Sequence, residues 1–168
     1  MNLLWIKPGN LWPLNTGGRL RSFNMLAELS KQHEVTLLTT YRSDEDPEAL
    51  RRELPRCKVI SVPFEVPKQG SPGFARALVR SWLSLLPVDL WRWRSRALRG
   101  EARRLLQGGD VDICIADFLV SGPNVPARTG VPVVYFSHNV EAMIWDRLQR
   151  LEKSFFKRMV LKFESLKM

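Results

Sequence analysis

Short apolar runs recur along this chain, and the stretches between them carry about one apolar residue per helical turn. The runs are Leu3-Leu4-Trp5-Ile6, Val35-Thr36-Leu37-Leu38-Thr39, Val59-Ile60-Ser61-Val62, Ile113-Cys114-Ile115-Ala116 and Val133-Val134-Tyr135-Phe136. A strand with one wet face alternates apolar and polar residues. Near-continuous β-branched and apolar runs belong to strands covered on both sides. Strand followed by helix, repeated, predicts an α/β fold: an open parallel sheet with helices on both faces. At 168 residues the chain can bury one proper core, and an apolar content of 45% excludes disorder. There is no internal repeat and no low-complexity segment.

The helical stretches follow from spacing and punctuation. Leu20, Phe23, Leu26 and Leu29 mark a first helix that starts at Gly17-Gly18. Asp46-Pro47 predicts an aspartate cap and a first-turn proline for a helix over Glu48 to Leu54. A helix over Gly73 to Leu86 shows Phe74, Leu78 and Trp82 on one side and Arg76 and Arg80 on the other. One long helix is expected over Leu90 to Gln107, stopped by Gly108-Gly109. A proline-broken helix falls between Phe118 and Gly130. Val140 to Leu151 and Lys153 to Met168 close the chain as helices.

Parallel sheets bind ligands outside the carboxyl ends of their strands. Three candidates fall there: Gly17-Gly18 after the first strand, Asp117 after the fourth, and His138-Asn139 after the fifth. The glycine pair opens a helix whose first N–H groups are unpaired and whose dipole is positive. Glycine lets an anion approach the main chain, and Arg19 and Arg21 add charge. The same pair also serves as a plain reversal of the chain onto the sheet. Asp117 reads equally as a ligand or a cap. His138 can donate to a ligand hydroxyl or phosphate, or it can cap the next helix or bridge loop carbonyls. Asn139 suits the N-cap of the helix after it, and Glu141 the first turn of that helix.

The net charge of +9 points to an anionic partner. Much of it lies in Gly73 to Arg104, where Trp82, Trp91 and Trp93 accompany eight arginines. Tryptophan suits headgroup depth and arginine suits lipid phosphate, so Trp91, Arg92, Trp93, Arg94 and Arg96 form a candidate membrane or anion patch. A solvated arginine face over an ordinary core stripe is the competing reading. Nucleic acid ranks below both, because no nucleic-acid-binding motif accompanies the arginines. Cys57 and Cys114, the two cysteines, read as buried thiols in a reducing cytosol. They lack the histidine pair of a zinc site. No apolar stretch is long enough to span a bilayer, and Met1 to Ile6 is too short for a signal peptide. The expected location is cytoplasmic, with peripheral contact at the inner face of the plasma membrane left open.

Several of these pieces together resemble a known family. Pro13-x-x-x-Gly17-Gly18-Arg19 with Arg21-Ser22-Phe23-Asn24, His33-Glu34-Val35-Thr36-Leu37, and Tyr135-Phe136-Ser137-His138-Asn139-Val140-Glu141 are similar to segments of the group 1 sugar transferases, family 4. The last segment resembles a His-Asn-Val-Glu signature of a bacterial branch associated with exosortase and exopolysaccharide systems. That family has the GT-B fold, two Rossmann-like domains across a cleft, and this chain is similar to the N-terminal, acceptor-side one. The resemblance implies transfer of a sugar from a nucleotide-sugar donor to a glycan or lipid-linked acceptor, with retention of configuration. It implies no metal and no cofactor. It puts Gly17 and Gly18 near the donor diphosphate or the nascent acceptor nucleophile, and His138 near the transferred sugar; Arg19, Asn139, Glu141 and Asp117, placed on the same rim by the strand ends, complete the substrate- and diphosphate-binding candidates.

The closing helix carries Phe155, Phe156, Met159, Val160, Phe163 and Leu166, a broad apolar stripe that calls for a cover. The expectation is therefore that residues 1–168 form one Rossmann-like domain of a longer protein. In that case residues 140–168 lead toward a C-terminal, donor-holding domain, and the chain alone is inactive. A nucleotide-sugar epimerase half, which would need acid/base carboxylates facing the sugar, and a non-catalytic anion- or membrane-binding module are the alternatives.

Overall fold

The computed structural model describes residues 1–137 and 140–167, with Glu141 and Ala142 described by backbone alone. The elements in chain order are β1 (Asn2–Lys7), α1 (Gly17–Leu29), β2 (Glu34–Tyr41), α2 (Ala49–Glu53), β3 (Lys58–Pro63), α3 (Pro72–Trp82) and α4 (Val88–Arg92). There follow α5 (Arg96–Gln107), β4 (Ile113–Asp117), β5 (Val133–Phe136), α6 (Glu141–Leu151) and α7 (Phe155–Ser165). A 3-10 turn over Leu119–Asn124, with Pro123 inside it, joins β4 to the chain leading into β5. The chain divides into two compact units, residues 1–65 with 94–136, and residues 66–93 with 137–168.

The first unit holds the whole sheet. Its five strands are all parallel and run in the order β3-β2-β1-β4-β5. The period of two along β1 divides the core between the faces. Leu3 and Trp5 face Leu26 of α1 and Leu50 of α2, together with Val35, Leu37 and Val59. Leu4 and Ile6 face the stripe Leu98, Ala102 and Leu106 of α5, together with Leu38 and Cys114. Each such buried side chain contributes roughly 1.5–3 kcal/mol, so β1, covered on both faces, is the anchor of the unit. The sheet is a Rossmann-like α/β arrangement, as the alternation of runs predicts. Cys57, just ahead of β3, and Cys114, within β4, are both buried and free.

Three helix boundaries differ from the sequence expectation. The long helix expected over Leu90 to Gln107 is two helices, α4 and α5, parted at Ser95. Ser95 is extended; its hydroxyl accepts from the Leu98 N–H at 3.2 Å and its own N–H donates to Asn124 Oδ1 at 2.8 Å. A serine among arginines thus acts as an N-cap instead of a helical residue. α3 stops at Trp82 rather than Leu86: Ser81 and Ser84 hydroxyls donate to carbonyls three residues back, and Leu85 is left 92% exposed. Asp46 does not occupy the cap of α2, where Glu48 stands. It accepts the Glu48 N–H at 2.8 Å and pairs with Arg52 at 2.6 Å.

The second unit gathers α3, α4, α6 and α7 around a small core of Ala77, Val88 and Trp145, with Phe74, Leu78, Trp91 and Leu161 partly buried against it. Its one buried carboxylate among the described residues, Glu164, accepts the Val88 N–H at 2.5 Å and pairs with Lys167 at 2.9 Å. Lys167 in turn donates to the Ser81 carbonyl at 3.1 Å. These contacts tie α7 to the start of α4 and the end of α3. Among the described residues, no helix is long and apolar enough to cross a membrane.

Candidate functional site

Strand order places the site. From β1 the chain steps outward to β2 and β3, then crosses to the other side of β1 for β4 and β5. The direction of winding reverses between β1 and β4, and the region outside the carboxyl ends of strands at such a switch point is where open α/β sheets bind ligands. Four features meet there: Lys7 ending β1, Asp117 ending β4, Phe118 after it, and the start of α1.

The loop from β1 to α1 is held rather than loose. Gly9 has φ +87° and sits between two threonines of β2. Its N–H donates to Thr40 Oγ1 at 2.8 Å, and its carbonyl accepts from Thr39 Oγ1 at 3.0 Å. Asn10 Oδ1 accepts the Trp12 N–H at 3.1 Å. Trp12-Pro13 is a cis peptide. Thr16 then caps α1, its hydroxyl accepting from Arg19 N. Gly17 and Gly18 are the first two residues of the helix, at the positive end of its dipole. Arg19 bonds the Pro13 carbonyl at 3.1 Å and Asn15 Oδ1 at 3.0 Å, so it clamps this loop as well as adding charge.

The two glycines have different surroundings. A Cβ on Gly17 would meet nothing within 4 Å, whereas one on Gly18 would lie 2.5 Å from the tip of the Phe118 ring. Gly18 is therefore small because Phe118 packs on it, and Gly17 faces open space where a ligand can reach the main chain. Phe118 is held in a left-handed conformation, φ +67°, which non-glycine residues adopt at a cost.

Lys7 follows Ile6, whose register partner on β4 is Ala116, so Lys7 and Asp117 end their strands at the same level. Lys7 is 7% exposed and Asp117 is fully buried. Asp117 Oδ2 accepts the Trp5 indole N–H at 2.9 Å, and the Asp117 carbonyl accepts from the Ser121 hydroxyl. The Lys7 ammonium lies 4.2 Å from the centre of the Phe118 ring. Burial pushes its pKa down from 10.5 to about 8, opposed by the Asp117 carboxylate and assisted by Arg19. Among the described residues no group accepts a hydrogen bond from it. Lys7 and Phe118 were not among the sequence candidates. The one sequence signal was a lysine directly after the apolar run Leu3 to Ile6, and nothing local said that it would be buried.

Of the residues expected on this rim, the structure brings together Gly17, Gly18, Arg19 and Asp117. His138 and Asn139 lie outside the described residues, as does the side chain of Glu141, whose backbone begins α6. The tryptophan–arginine patch divides. In the second unit Trp91 packs against the small core, and Arg92 pairs with Asp89 at 2.9 Å. Trp93 is half-buried. In the first unit Arg94 is half-buried and Arg96 exposed at the start of α5. Exposed apolar surface of the second unit also lies elsewhere, on α7 and the end of α3. There Trp82, Met159, Val160 and Phe163 line an open apolar groove. Among the described residues no three His, Cys, Asp or Glu side chains are grouped to hold a metal ion.

Comparison with known proteins yields no matching family model, no matching curated protein and no matching solved structure.

Proposed function

We propose that this chain is the acceptor-side domain of a retaining, metal-independent glycosyltransferase, moving a sugar from a nucleotide-sugar donor to a glycan or lipid-linked acceptor. The observation that carries this is the placement of the Gly17-Gly18 start of α1 at the switch point between β1 and β4, with Arg19 clamping the loop before it. Sugar transfer expels a nucleoside diphosphate. The negative charge that develops on it is best met by fixed donors rather than by a base. Main-chain N–H groups at a helix start, with Gly17 open to approach, are donors of that kind. The resemblance of the His138-Asn139-Val140-Glu141 segment adds the sugar. His138 would donate to a hydroxyl of the transferred residue.

The epimerase alternative needs a carboxylate facing the sugar. Asp117, the carboxylate at this switch point, is fully buried and engaged by the Trp5 indole, which favours transfer. A membrane-bound acceptor is favoured by α7, where exposed Phe155, Phe156, Met159 and Phe163 stand beside Lys157, Arg158 and Lys162. In this proposal the protein works at the cytoplasmic face of a membrane.

Transfer also requires a second α/β half to hold the nucleotide. The deciding experiment incubates nucleotide sugars with the 168-residue chain alone and with a protein joining it to such a half. Nucleoside diphosphate release and the anomeric configuration of the product are followed by NMR. The chain alone should be inert and the two-half protein should transfer with retention. Turnover by the chain alone refutes the half-site assignment. Absence of nucleoside diphosphate release by the two-half protein refutes sugar transfer.

A further inference from the structure

Lys7 presents an imbalance. Burying an ammonium costs several kcal/mol unless partners replace its water. Lys7 is 7% exposed, yet it meets one aromatic face at 4.2 Å and the field of Asp117, whose carboxylate is already bonded to Trp5. An apolar side chain of the same length would fill the space at less expense. A residue that costs stability where it stands is a candidate for function.

The surroundings specify the ligand. The Phe118 ring touches both ends of the arrangement: its face lies against the Lys7 ammonium, and its tip packs on Gly18 in the first turn of α1. The lysine and the positive end of a 13-residue helix thus flank one ring, Arg19 lies near enough for its charge to act on Lys7, and a Cβ on Gly17 would meet open space. The charged groups facing Lys7 are Asp117 from β4 and Arg19 from α1. Two cations and a helix dipole against one carboxylate leave a surplus that suits a doubly charged anion. A phosphoryl group has that charge and three acceptor oxygens for donors arriving from different elements. Phe118, strained at φ +67°, fixes the ring against the lysine.

We propose that Lys7 is a phosphate-binding residue whose ammonium, together with the N-terminus of α1 and Arg19, holds a phosphoryl group at the carboxyl ends of β1 and β4. This deepens the reading of these strand ends as an anion site and is independent of sugar transfer. Failure of transfer by a two-half protein leaves it standing, and its own failure leaves transfer to be decided by the donor assay.

The test is calorimetric titration of the full chain with inorganic pyrophosphate at pH 7, comparing wild type with Lys7→Met. Methionine keeps an unbranched flexible stem, one atom shorter, and removes the charge, so folding is retained. Binding by wild type that weakens at least about tenfold in Lys7→Met is the expected result, one lost charge-assisted contact being worth about that much. Equal affinity in the two proteins overturns the proposal, as does absence of pyrophosphate binding by wild type. A second measurement needs no variant. Inorganic phosphate keeps one charge state between pH 8 and 10, where Lys7 passes from charged to neutral. Its affinity for wild type should fall across that range by about the same factor as Lys7→Met costs, roughly tenfold in all, as Lys7 loses its proton. A flat affinity over that range overturns the proposal too.

Discussion

Gly17 and Gly18 stand side by side and should respond to alanine in opposite ways. The Cβ of Gly18→Ala would sit 2.5 Å from the Phe118 ring, which is itself held on Lys7. Overpacking of that sort costs about 1–3 kcal/mol. Gly17→Ala meets open space at the first position of α1 and should gain about 0.4–1 kcal/mol by restricting the unfolded chain. Urea unfolding of the two variants checks the contrast, and equal effects would contradict it. Lys7 gives the pH counterpart. Its folded pKa, about 8, lies below the ordinary 10.5, so the buried charge is a penalty in full below pH 8. Between pH 8 and 10.5 the unfolded chain binds the proton and the folded one does not, so stability rises with pH there. The shift corresponds to about 3 kcal/mol. Cys114, raised by burial from 9.0 to about 11, acts in the opposite direction over much of the same window. The difference between wild type and Lys7→Met cancels the thiol. Lys7→Met should be more stable by roughly that amount below pH 8, and the advantage should vanish above pH 10.5. A constant difference across the range would mean that Lys7 is not held neutral by its burial.

Among the elements, those with one strong local cause were legible in the sequence. β1 to β5 were marked by near-continuous apolar runs, and α1 by apolar spacing after a glycine pair. The parallel sheet follows from their alternation, because a parallel neighbour needs a crossover between strands. What escaped were elements decided by a partner distant in sequence. Ser95 ends one helix and caps the next because Asn124 Oδ1, 29 residues away, takes its N–H. An arginine-rich stretch without that knowledge reads as one continuous helix. Asp117 was visible as a strand end, but its partner Trp5 lies 112 residues earlier, and only the register of β1 beside β4 brings the two together. Lys7 escaped for the same reason. Its ammonium lies against Phe118, far along the chain, and that contact leaves no mark in Trp5-Ile6-Lys7-Pro8. The glycine pair was legible as a helix start, while the separate tasks of its two members emerged only from the ring packed on Gly18.

At the scale of the whole molecule the charge is unevenly shared. The second unit, 60 of the 168 residues, carries eleven lysines and arginines against five carboxylates, so it holds six of the nine surplus charges. It also exposes Phe155, Phe156, Met159 and Phe163 on α7 and Leu83 and Leu85 beyond α3. Basic residues interleaved with exposed aromatics make a surface that an anionic bilayer satisfies in two ways, by Coulomb attraction and by taking the rings to headgroup depth. The two contributions separate experimentally because salt screens only the first; at 0.15 M ionic strength the screening length is about 8 Å. The chain should sediment with vesicles containing phosphatidylglycerol and much less with pure phosphatidylcholine. Lys157→Gln with Arg158→Gln removes two charges worth about 1 kcal/mol each near such a surface, so affinity should drop about thirtyfold at low salt and far less at high salt. Phe155→Ser with Phe156→Ser should instead remove the binding that survives high salt. If the same apolar face is covered by a second copy of the chain, sedimentation velocity will show a concentration-dependent dimer. The phenylalanine variants will then dissolve that dimer, and vesicle binding will be absent at every salt concentration.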